Sequence, residues 1–153
     1  MTTLDRQALA RDLRAALEGE VRFDTATRAL YATDASNYRQ PPIGVVLPRS
    51  LDDVVATHAV CREHGAPVVP RGCGTSLSGE TVNVAVVVDC SKYLTRIGEV
   101  DPERRLVSVD PGAINQHVTI PRGRSSCSCT DSGANALRSQ PGTTAAPVTT
   151  TVT

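Results

Sequence analysis

At 153 residues, the chain has the length of one domain or of part of a larger one. Sixteen basic and sixteen acidic residues cancel, which removes the electrostatic case for binding nucleic acid or an anionic membrane. With no Trp, one Phe and three Tyr, the core must be built from Val, Leu, Ile and Ala, which suits an α/β domain with buried strands.

Cysteine usage and the N-terminal segment indicate the compartment. The odd number of cysteines, without framework spacing, favours reduced thiols in a cytoplasmic protein. Charges run through residues 1–20, which excludes a signal peptide there, and no later segment reaches the apolar length of a membrane span. We therefore predict a cytoplasmic chain that does not span a membrane. The five cysteines are Cys61, Cys73, Cys90, Cys127 and Cys129.

The first predicted elements are helical. Apolar residues recur at helical spacing over residues 4–18, and Gly19 follows as the expected stop. A short helix and then a loop are predicted for residues 24–38. "IGVVLP", residues 43–48, is a proline-bounded apolar run typical of a buried strand.

A second amphipathic helix is predicted after this strand, from Leu51 to about His64. Ser50 is its expected N-cap, Asp53 completes a loose capping box, and Gly65 is the expected C′ residue. Its predicted apolar stripe consists of Leu51, Val54, Val55, Ala59 and Val60.

Strand, helix and strand then form a predicted βαβ unit. "APVVP", residues 66–70, is its second strand, and the two strands should be parallel. A third strand is predicted around residues 84–88 and a fourth within residues 104–113, ending at Pro111–Gly112. The charged run at residues 101–105 is expected to be a solvated hairpin turn. After residue 120, the Ser/Thr-rich sequence lacks periodicity and large apolar residues, so we predict a disordered or misfolded tail.

A glycine-rich polar loop, "PRGCGTSLSG", joins the second and third of these strands. Its backbone can approach a ligand closely, successive N–H groups can form an anion-binding nest, and an arginine and several hydroxyls add donors. It lacks the lysine of a Walker A loop and, with Leu77 at the third glycine position, is not a Rossmann loop. The residues favour a phosphate or pyrophosphate cradle, the alternative being a polar surface turn. We call this segment the glycine loop: Pro70, Arg71, Gly72, Cys73, Gly74, Thr75, Ser76, Leu77, Ser78 and Gly79.

Three stretches within residues 24–119 resemble the FAD-linked oxidases with a PCMH-type (vanillyl-alcohol oxidase type) FAD-binding domain. They are "TDASNYRQPPIGVVLPRSLDDVV", "REHGAPVVPRGCGTSLSGETVN" and "VVVDCSKYLTRIGEVDPERRLVSVDPGAINQHV". The resemblance is greatest to flavoproteins of the D-lactate dehydrogenase and glycolate oxidase type. It implies an α/β (α+β) fold containing the first βαβ lobe of the FAD domain and the start of the second. Residues 1–120 would form this part, and residues 121–153 the tail.

The resemblance also implies the cofactor and its contacts. The glycine loop would bind the FAD pyrophosphate, Pro48 would lie near the nucleotide, and Asp110, Pro111 and Gly112 would pass close to FAD. The nearest histidine, His64, precedes the loop by a whole strand, so FAD is expected to be bound non-covalently. Cys73 departs from the family pattern, where glycine or another small residue is usual.

The implied activity is oxidation of a D-2-hydroxy acid, with hydride transfer to the flavin. Electrons would pass to a quinone, a cytochrome or an iron–sulfur domain, and full-length relatives could lie at a membrane surface. The second flavin-binding segment and the catalytic residues of the family are not recognisable here, so we assign no catalytic residue and expect an incomplete chain with little or no turnover. A reading-frame change or a misplaced gene end near residue 120 is our hypothesis for the tail.

The alternative functions are a non-catalytic fragment, a nucleotide-binding module without turnover, or a subunit completed by another chain. Cys127 and Cys129 lack further ligands at suitable spacing, so no metal site is predicted. His58, His64 and His117 have no partner placed by the sequence, which favours solvated or capping roles over catalysis.

Overall fold

The computed structural model describes residues 4–104 and 106–114, together with the backbone of residues 149–152. The chain divides into two compact units, residues 1–94 and residues 95–153. The predicted division at residue 120 lies outside the described residues and stays a prediction.

The first unit contains three helices, α1 (Arg6–Ala16), α2 (Thr25–Leu30) and α3 (Leu51–Glu63). Each begins after a residue whose side-chain oxygen accepts hydrogen bonds from the first turn, as an N-cap should. Ser50 accepts from Asp53 N at 3.1 Å, which confirms the predicted start of α3. The helix ends before Gly65, whose φ of +64° confirms the predicted C′ glycine. None of the three helices described has the length and apolarity to cross a bilayer.

The sheet of the first unit has four strands in the order β1-β2-β4-β3. They are β1 (Glu20–Arg22), β2 (Gly44–Leu47), β3 (Val68–Arg71) and β4 (Val86–Asp89). Both strands of the predicted βαβ unit, β2 and β3, run parallel to β4, which lies between them. The parallel direction was therefore predicted correctly. The antiparallel strand β1, which pairs with β2, was not predicted.

Both faces of this sheet are buried, as the unbroken valine runs of β2 and β4 indicate. On one face, Val46 and Val86 pack with Leu9 and Leu13 of α1 and with Cys61 of α3. The alternate positions of the strands form a second cluster with two partly buried tyrosines at its margin. The second cluster consists of Val45, Leu47, Val69, Ala85 and Val87, with Tyr31 and Tyr93 beside it.

The predicted apolar stripe of α3 is wrong in part. Leu51 and Val55 are exposed, and the buried positions of the helix are Asp53, Thr57 and Cys61. The buried polar groups are satisfied, because Thr57 Oγ1 donates to Asp53 O at 2.7 Å and the Asp53 carboxylate accepts two backbone N–H groups. The buried face of α3 is therefore the one that carries Asp53, Thr57 and Cys61, and not the one that its hydrophobic pattern predicts.

The second unit contains β5 (Ile97–Asp101), β6 (Leu106–Val109) and β7 (Thr149–Val152). β5 and β6 form an antiparallel hairpin, and β7 pairs in parallel with β6. Asp101 Oδ1 accepts from the N–H groups of Glu103 and Arg104 at the hairpin turn, which confirms the predicted charged hairpin. Apart from β7, the predicted disordered tail lies outside the described residues.

Candidate functional site

The parallel strands of the first unit present their carboxyl ends at one edge of the sheet. β2 is followed there by the fully buried Pro48, β3 ends at Arg71, and β4 ends at Asp89. The first two residues of the glycine loop, Pro70 and Arg71, end β3, and the rest of the loop leaves the sheet at this edge. Ligands of open α/β sheets bind outside the carboxyl ends of parallel strands. The structure thus places Pro48 and the glycine loop at the edge where a nucleotide is expected.

The backbone of the glycine loop combines glycines at positive φ with N–H groups that make no hydrogen bond in the described part of the chain. Gly74 and Gly79 have φ of +70° and +77°, which side chains with a Cβ rarely adopt. The N–H groups of residues 72–77 have no acceptor among the described residues. A row of unpaired N–H groups beside glycines at positive φ can donate collectively to phosphate oxygens.

Arg71, the last residue of β3, places a guanidinium against the glycine loop. Its Nη2 donates to Thr33 O at 3.0 Å, and its Cζ lies 5.2 Å from the ring centroid of Tyr31. Its Nη1 is buried and has no hydrogen-bond partner among the described residues. A buried donor without an acceptor costs free energy, so an anion or polar group that reached it would be stabilised.

The hydroxyls of the glycine loop have two different roles. Ser76 Oγ donates to the Glu80 carboxylate at 3.1 Å and accepts from the N–H groups of Ser78 and Glu80, so it organises the loop itself. The side chains of Thr75, Ser78 and the thiol residue Cys73 are exposed and make no hydrogen bond in the described part of the chain. Thr75 and Ser78 are therefore the hydroxyls available to a ligand.

A polar cavity of about 350 Å³ opens beside the second half of the glycine loop. Ser78 and Gly79 of the loop form part of its wall. The other lining residues are Tyr38, Arg39, Gln40, Val82 and Asn83. The loop therefore borders a space large enough for part of a small ligand.

The predicted site residues Pro111 and Gly112 lie in the second unit, in the turn after β6. Gly112 is buried, and Pro111 is exposed. The preceding Asp110 accepts from Arg96 N at 3.0 Å, and its carbonyl accepts from Ala113 N. These contacts fix the turn within the second unit, and a contact of this turn with FAD stays a prediction.

A tyrosine–aspartate pair at the same sheet edge was missed by the sequence analysis. Tyr31 Oη donates to Asp89 Oδ2 at 2.5 Å, and Ser91 N donates to Asp89 Oδ1 at 2.8 Å. Burial, followed by the neighbouring carboxylate, raises the pKa of Tyr31. The phenol therefore remains a hydrogen-bond donor at neutral pH. No local motif could reveal this pair, because 58 positions separate its members.

A cationic cluster around Tyr93 was also missed. The Glu20 carboxylate accepts hydrogen bonds from Lys92, Tyr93 and Arg22. These bonds lower the pKa of Glu20 to about 2, with the largest effect from Lys92. The Arg49 guanidinium and the Lys92 ammonium each lie 5.0 Å from the centroid of the Tyr93 ring. Glu20 pairs with Leu47 at the carboxyl end of β2, so this positive cluster belongs to the edge that carries the glycine loop.

The described histidines and cysteines do not form a metal centre. No group of three or more potential ligands occurs in residues 4–104 or 106–114. His64 instead lies at the end of α3, with Nε2 at 2.9 Å from Asp12 Oδ2 of α1. This histidine therefore ties two helices together. His117, Cys127 and Cys129 lie outside the described residues.

The mixed α/β topology, with a glycine-rich loop after a parallel strand, is that of a PCMH-type FAD-binding domain. The sequence profile of the family described as "FAD binding domain" matches residues 42–120. The chain therefore belongs to this family of FAD-binding domains, as its sequence predicts.

Two curated relatives illustrate the relationship. Glycolate oxidase subunit GlcD of Bacillus subtilis is 36% identical over 102 residues, which are 64% of this chain and 22% of that protein. D-2-hydroxyglutarate dehydrogenase of Escherichia coli is 35% identical over 103 residues, or 65% of this chain and 10% of that protein. The chain thus spans between a tenth and about a fifth of the length of these relatives.

Solved structures show the same fold. The xylooligosaccharide oxidase from Myceliophthora thermophila aligns with a TM-score of 0.58 and 22% identity, over 73% of this chain and 24% of the oxidase. p-Cresol methylhydroxylase aligns with a TM-score of 0.55 and 20% identity, over 70% of this chain and 22% of that enzyme. The described topology is therefore that of the flavoenzyme domain predicted from the sequence.

Proposed function

We propose that the chain binds FAD non-covalently and that the glycine loop holds the two phosphates of the cofactor. The N–H groups of residues 72–77 carry this proposal, because they have no acceptor among the described residues and a pyrophosphate would supply oxygens to them. Arg71 would add charge to the pyrophosphate site, and Thr75 and Ser78 would add hydroxyl donors. Membership of the FAD-binding family supports the choice of FAD among pyrophosphate ligands.

Two further features of the glycine loop agree with non-covalent binding of FAD. A Cβ at Gly74 would displace the Arg71 guanidinium, and one at Gly79 would lie 2.5 Å from the Tyr38 ring, so glycine at both positions leaves these side chains in place beside the loop. The loop contains no histidine, which supports non-covalent attachment. We assign Pro48, Pro111 and Gly112 as further contacts on the resemblance to the family alone.

We further propose that the whole protein is an oxidoreductase that acts on a D-2-hydroxy acid. The names of the curated relatives, a glycolate oxidase subunit and a D-2-hydroxyglutarate dehydrogenase, support this substrate class. The flavin, when bound, accepts the hydride from the substrate carbon, and a quinone, cytochrome or iron–sulfur partner would receive the electrons. Residues of this chain hold and orient the cofactor phosphates, and we assign none of them to proton transfer.

A nucleotide-binding module without turnover is the second candidate function. It is favoured by the roles that we assign within the described residues, because these residues hold the cofactor phosphates and none of them is assigned to the chemical step. In this case, the chain would bind FAD but would not reduce it with glycolate, D-lactate or D-2-hydroxyglutarate.

A single purification tests FAD binding. After incubation with FAD and gel filtration, the protein fraction should keep the flavin absorbance at about 450 nm, and acid precipitation should release the flavin into the supernatant. Flavin that elutes entirely apart from the protein would contradict the binding proposal. Flavin that stays with the precipitate would contradict non-covalent attachment. Reduction of an artificial acceptor by a 2-hydroxy acid would exclude the module without turnover.

Alkylation of cysteines provides an independent prediction for the loop. Cys73 is exposed, Cys61 and Cys90 are buried, and burial raises the pKa of the Cys61 thiol to about 11. Iodoacetamide at neutral pH should therefore modify Cys73 well before the two buried thiols, and saturating FAD should slow the reaction at Cys73. Peptide mass spectrometry follows each cysteine separately, with Cys73→Ser as the control. Equal rates at Cys73 and Cys61 would contradict the described exposure of the loop.

A further inference from the structure

A short turn, residues 33–36, is hydrogen-bonded to the beginning, the middle and the end of the glycine-rich segment. We call it the brace turn. We propose that the brace turn sets the direction of the N–H groups in the glycine loop, and that Asp34 is the positioning residue through which it does so. This inference rests on the proposed binding of FAD phosphates by the loop.

The brace turn is organised by its own side chains. Asp34 Oδ1 accepts from Ser36 N at 2.9 Å, and Ser36 Oγ accepts from Tyr38 N at 3.1 Å. A backbone bridge between Thr33 and Arg39 closes the turn at its base. Hydrogen bonds, led by those from Ser36, hold the pKa of Asp34 at about 2, so the carboxylate is ionised at neutral pH. These bonds lie within residues 33–39, so the turn is organised in part by its own residues.

Three hydrogen bonds connect the brace turn to the segment from Arg71 to Thr81. At its beginning, Arg71 Nη2 donates to Thr33 O at 3.0 Å. In the middle, Ala35 N donates to Gly74 O at 3.1 Å. At the end, Thr81 Oγ1 donates to Asp34 Oδ2 at 2.9 Å. Three consecutive residues of the brace turn, Thr33, Asp34 and Ala35, are thus each hydrogen-bonded to this segment.

The middle contact orients the donor that follows it. The Gly74–Thr75 peptide is trans, so its C=O and its N–H point in opposite directions. Because Ala35 N holds the Gly74 carbonyl towards the brace turn, the Thr75 N–H is directed away from it. That N–H belongs to the row without acceptors in the described part of the chain. The brace turn thereby fixes the direction of a donor proposed to bind phosphate.

The hydrogen bond from Thr81 to Asp34 can be removed by mutation without changing the other two contacts of the brace turn, which use backbone groups of the turn. The Thr81 hydroxyl donates to an ionised carboxylate, and such charge-assisted bonds are among the stronger side-chain hydrogen bonds. Thr81→Val keeps the shape of the side chain and removes the donor, whereas Thr81→Ser keeps the donor. Since the hydroxyl is already used by Asp34, the valine variant removes no proposed contact to FAD.

Titration of the wild-type chain and of both variants with FAD and with ADP tests the proposal. We expect Thr81→Val to lower the affinities for FAD and for ADP by at least about tenfold. The affinities of Thr81→Ser should lie within about threefold of those of the wild type. Equal affinities of the wild type and Thr81→Val would overturn the role of the brace turn and leave the FAD proposal intact. If the wild type fails to bind FAD, the proposed function fails, and this inference fails with it.

Amide hydrogen exchange separates positioning from a general loss of stability. Without added nucleotide, Thr81→Val should speed exchange within residues 72–80 and leave the strands β2 and β4 unchanged relative to Thr81→Ser. Faster exchange throughout both strands would identify Thr81 as a merely structural residue and would overturn the proposal. Unchanged exchange in residues 72–80 would overturn it as well.

Discussion

Replacement of Gly74 by alanine is expected to weaken FAD binding by about a hundredfold. Gly74 has a φ of +70°, where an L-residue is strained by about 1–2 kcal/mol. The new Cβ would also collide with the Arg71 guanidinium, which is the flexible end of a side chain and would move. Arg71 would then lose its bond to Thr33 and its place against the glycine loop. Backbone strain at residue 74 and displacement of the Arg71 guanidinium should therefore both weaken binding at the proposed phosphate site.

Gly65→Ala is the matched control for this variant. Gly65 has a similar φ of +64°, but a Cβ there would meet no atom within 4 Å. The Gly65→Ala substitution should lower the free energy of unfolding by about 1 kcal/mol through backbone strain and leave the affinity for FAD unchanged. Equilibrium titration with FAD, together with urea denaturation, measures both quantities. Equal affinities of the Gly74→Ala and Gly65→Ala variants would contradict the assignment of the glycine loop as the phosphate site.

Replacement of Asp53 by alanine is expected to lower the free energy of unfolding by about 2–4 kcal/mol. The side chain is 4% exposed, and its two oxygens accept from Glu18 N at 3.0 Å and from Arg49 N at 2.8 Å. Alanine would leave both N–H groups without their acceptor. It would also remove a connection between the chain that follows α1 and the start of α3. Urea denaturation followed by circular dichroism measures the change.

The Asp52→Ala variant separates the contribution of buried hydrogen bonds to stability from that of a negative charge at the helix N-terminus. Asp52 occupies the same first turn of α3, but it is exposed and accepts no hydrogen bond among the described residues. Its removal forfeits only the favourable interaction with the helix N-terminus, which contributes about 0.3–1 kcal/mol. A loss as large for Asp52→Ala as for Asp53→Ala would show that the helix dipole, rather than the buried hydrogen bonds, explains the effect.

The elements that the sequence predicted well are those with local signals. Ser50 caps α3, Gly65 ends it, and a proline-bounded run forms β2. Each signal acts within a few residues, because capping, positive φ and the geometry of proline depend only on neighbouring backbone. The short strand β1 has no such signal, since its three residues are defined by pairing with β2.

The orientation of α3 shows why a hydrophobic pattern was insufficient. The apolar stripe predicted Leu51 and Val55 in the core, yet both are exposed while Asp53 and Thr57 are buried. A buried carboxylate is tolerated because distant backbone N–H groups satisfy it, and their positions depend on how the chain packs. The same limitation hid the Tyr31–Asp89 pair at the edge of the sheet.

The chemistry of the glycine loop could be predicted from residue types alone: glycines for positive φ, an arginine for charge and hydroxyls for donors, on a segment that follows a predicted parallel strand. The family resemblance added FAD, and the profile match over residues 42–120 confirmed the family. Which of these groups remain available to a ligand became clear only from the folded chain. Ser76 is engaged within the loop, and the N–H groups of residues 72–77 have no acceptor among the described residues. A turn 38 to 47 positions earlier in the chain is hydrogen-bonded to both ends of the segment. Hydrogen-bond satisfaction depends on the folded surroundings and cannot be read from residue types alone.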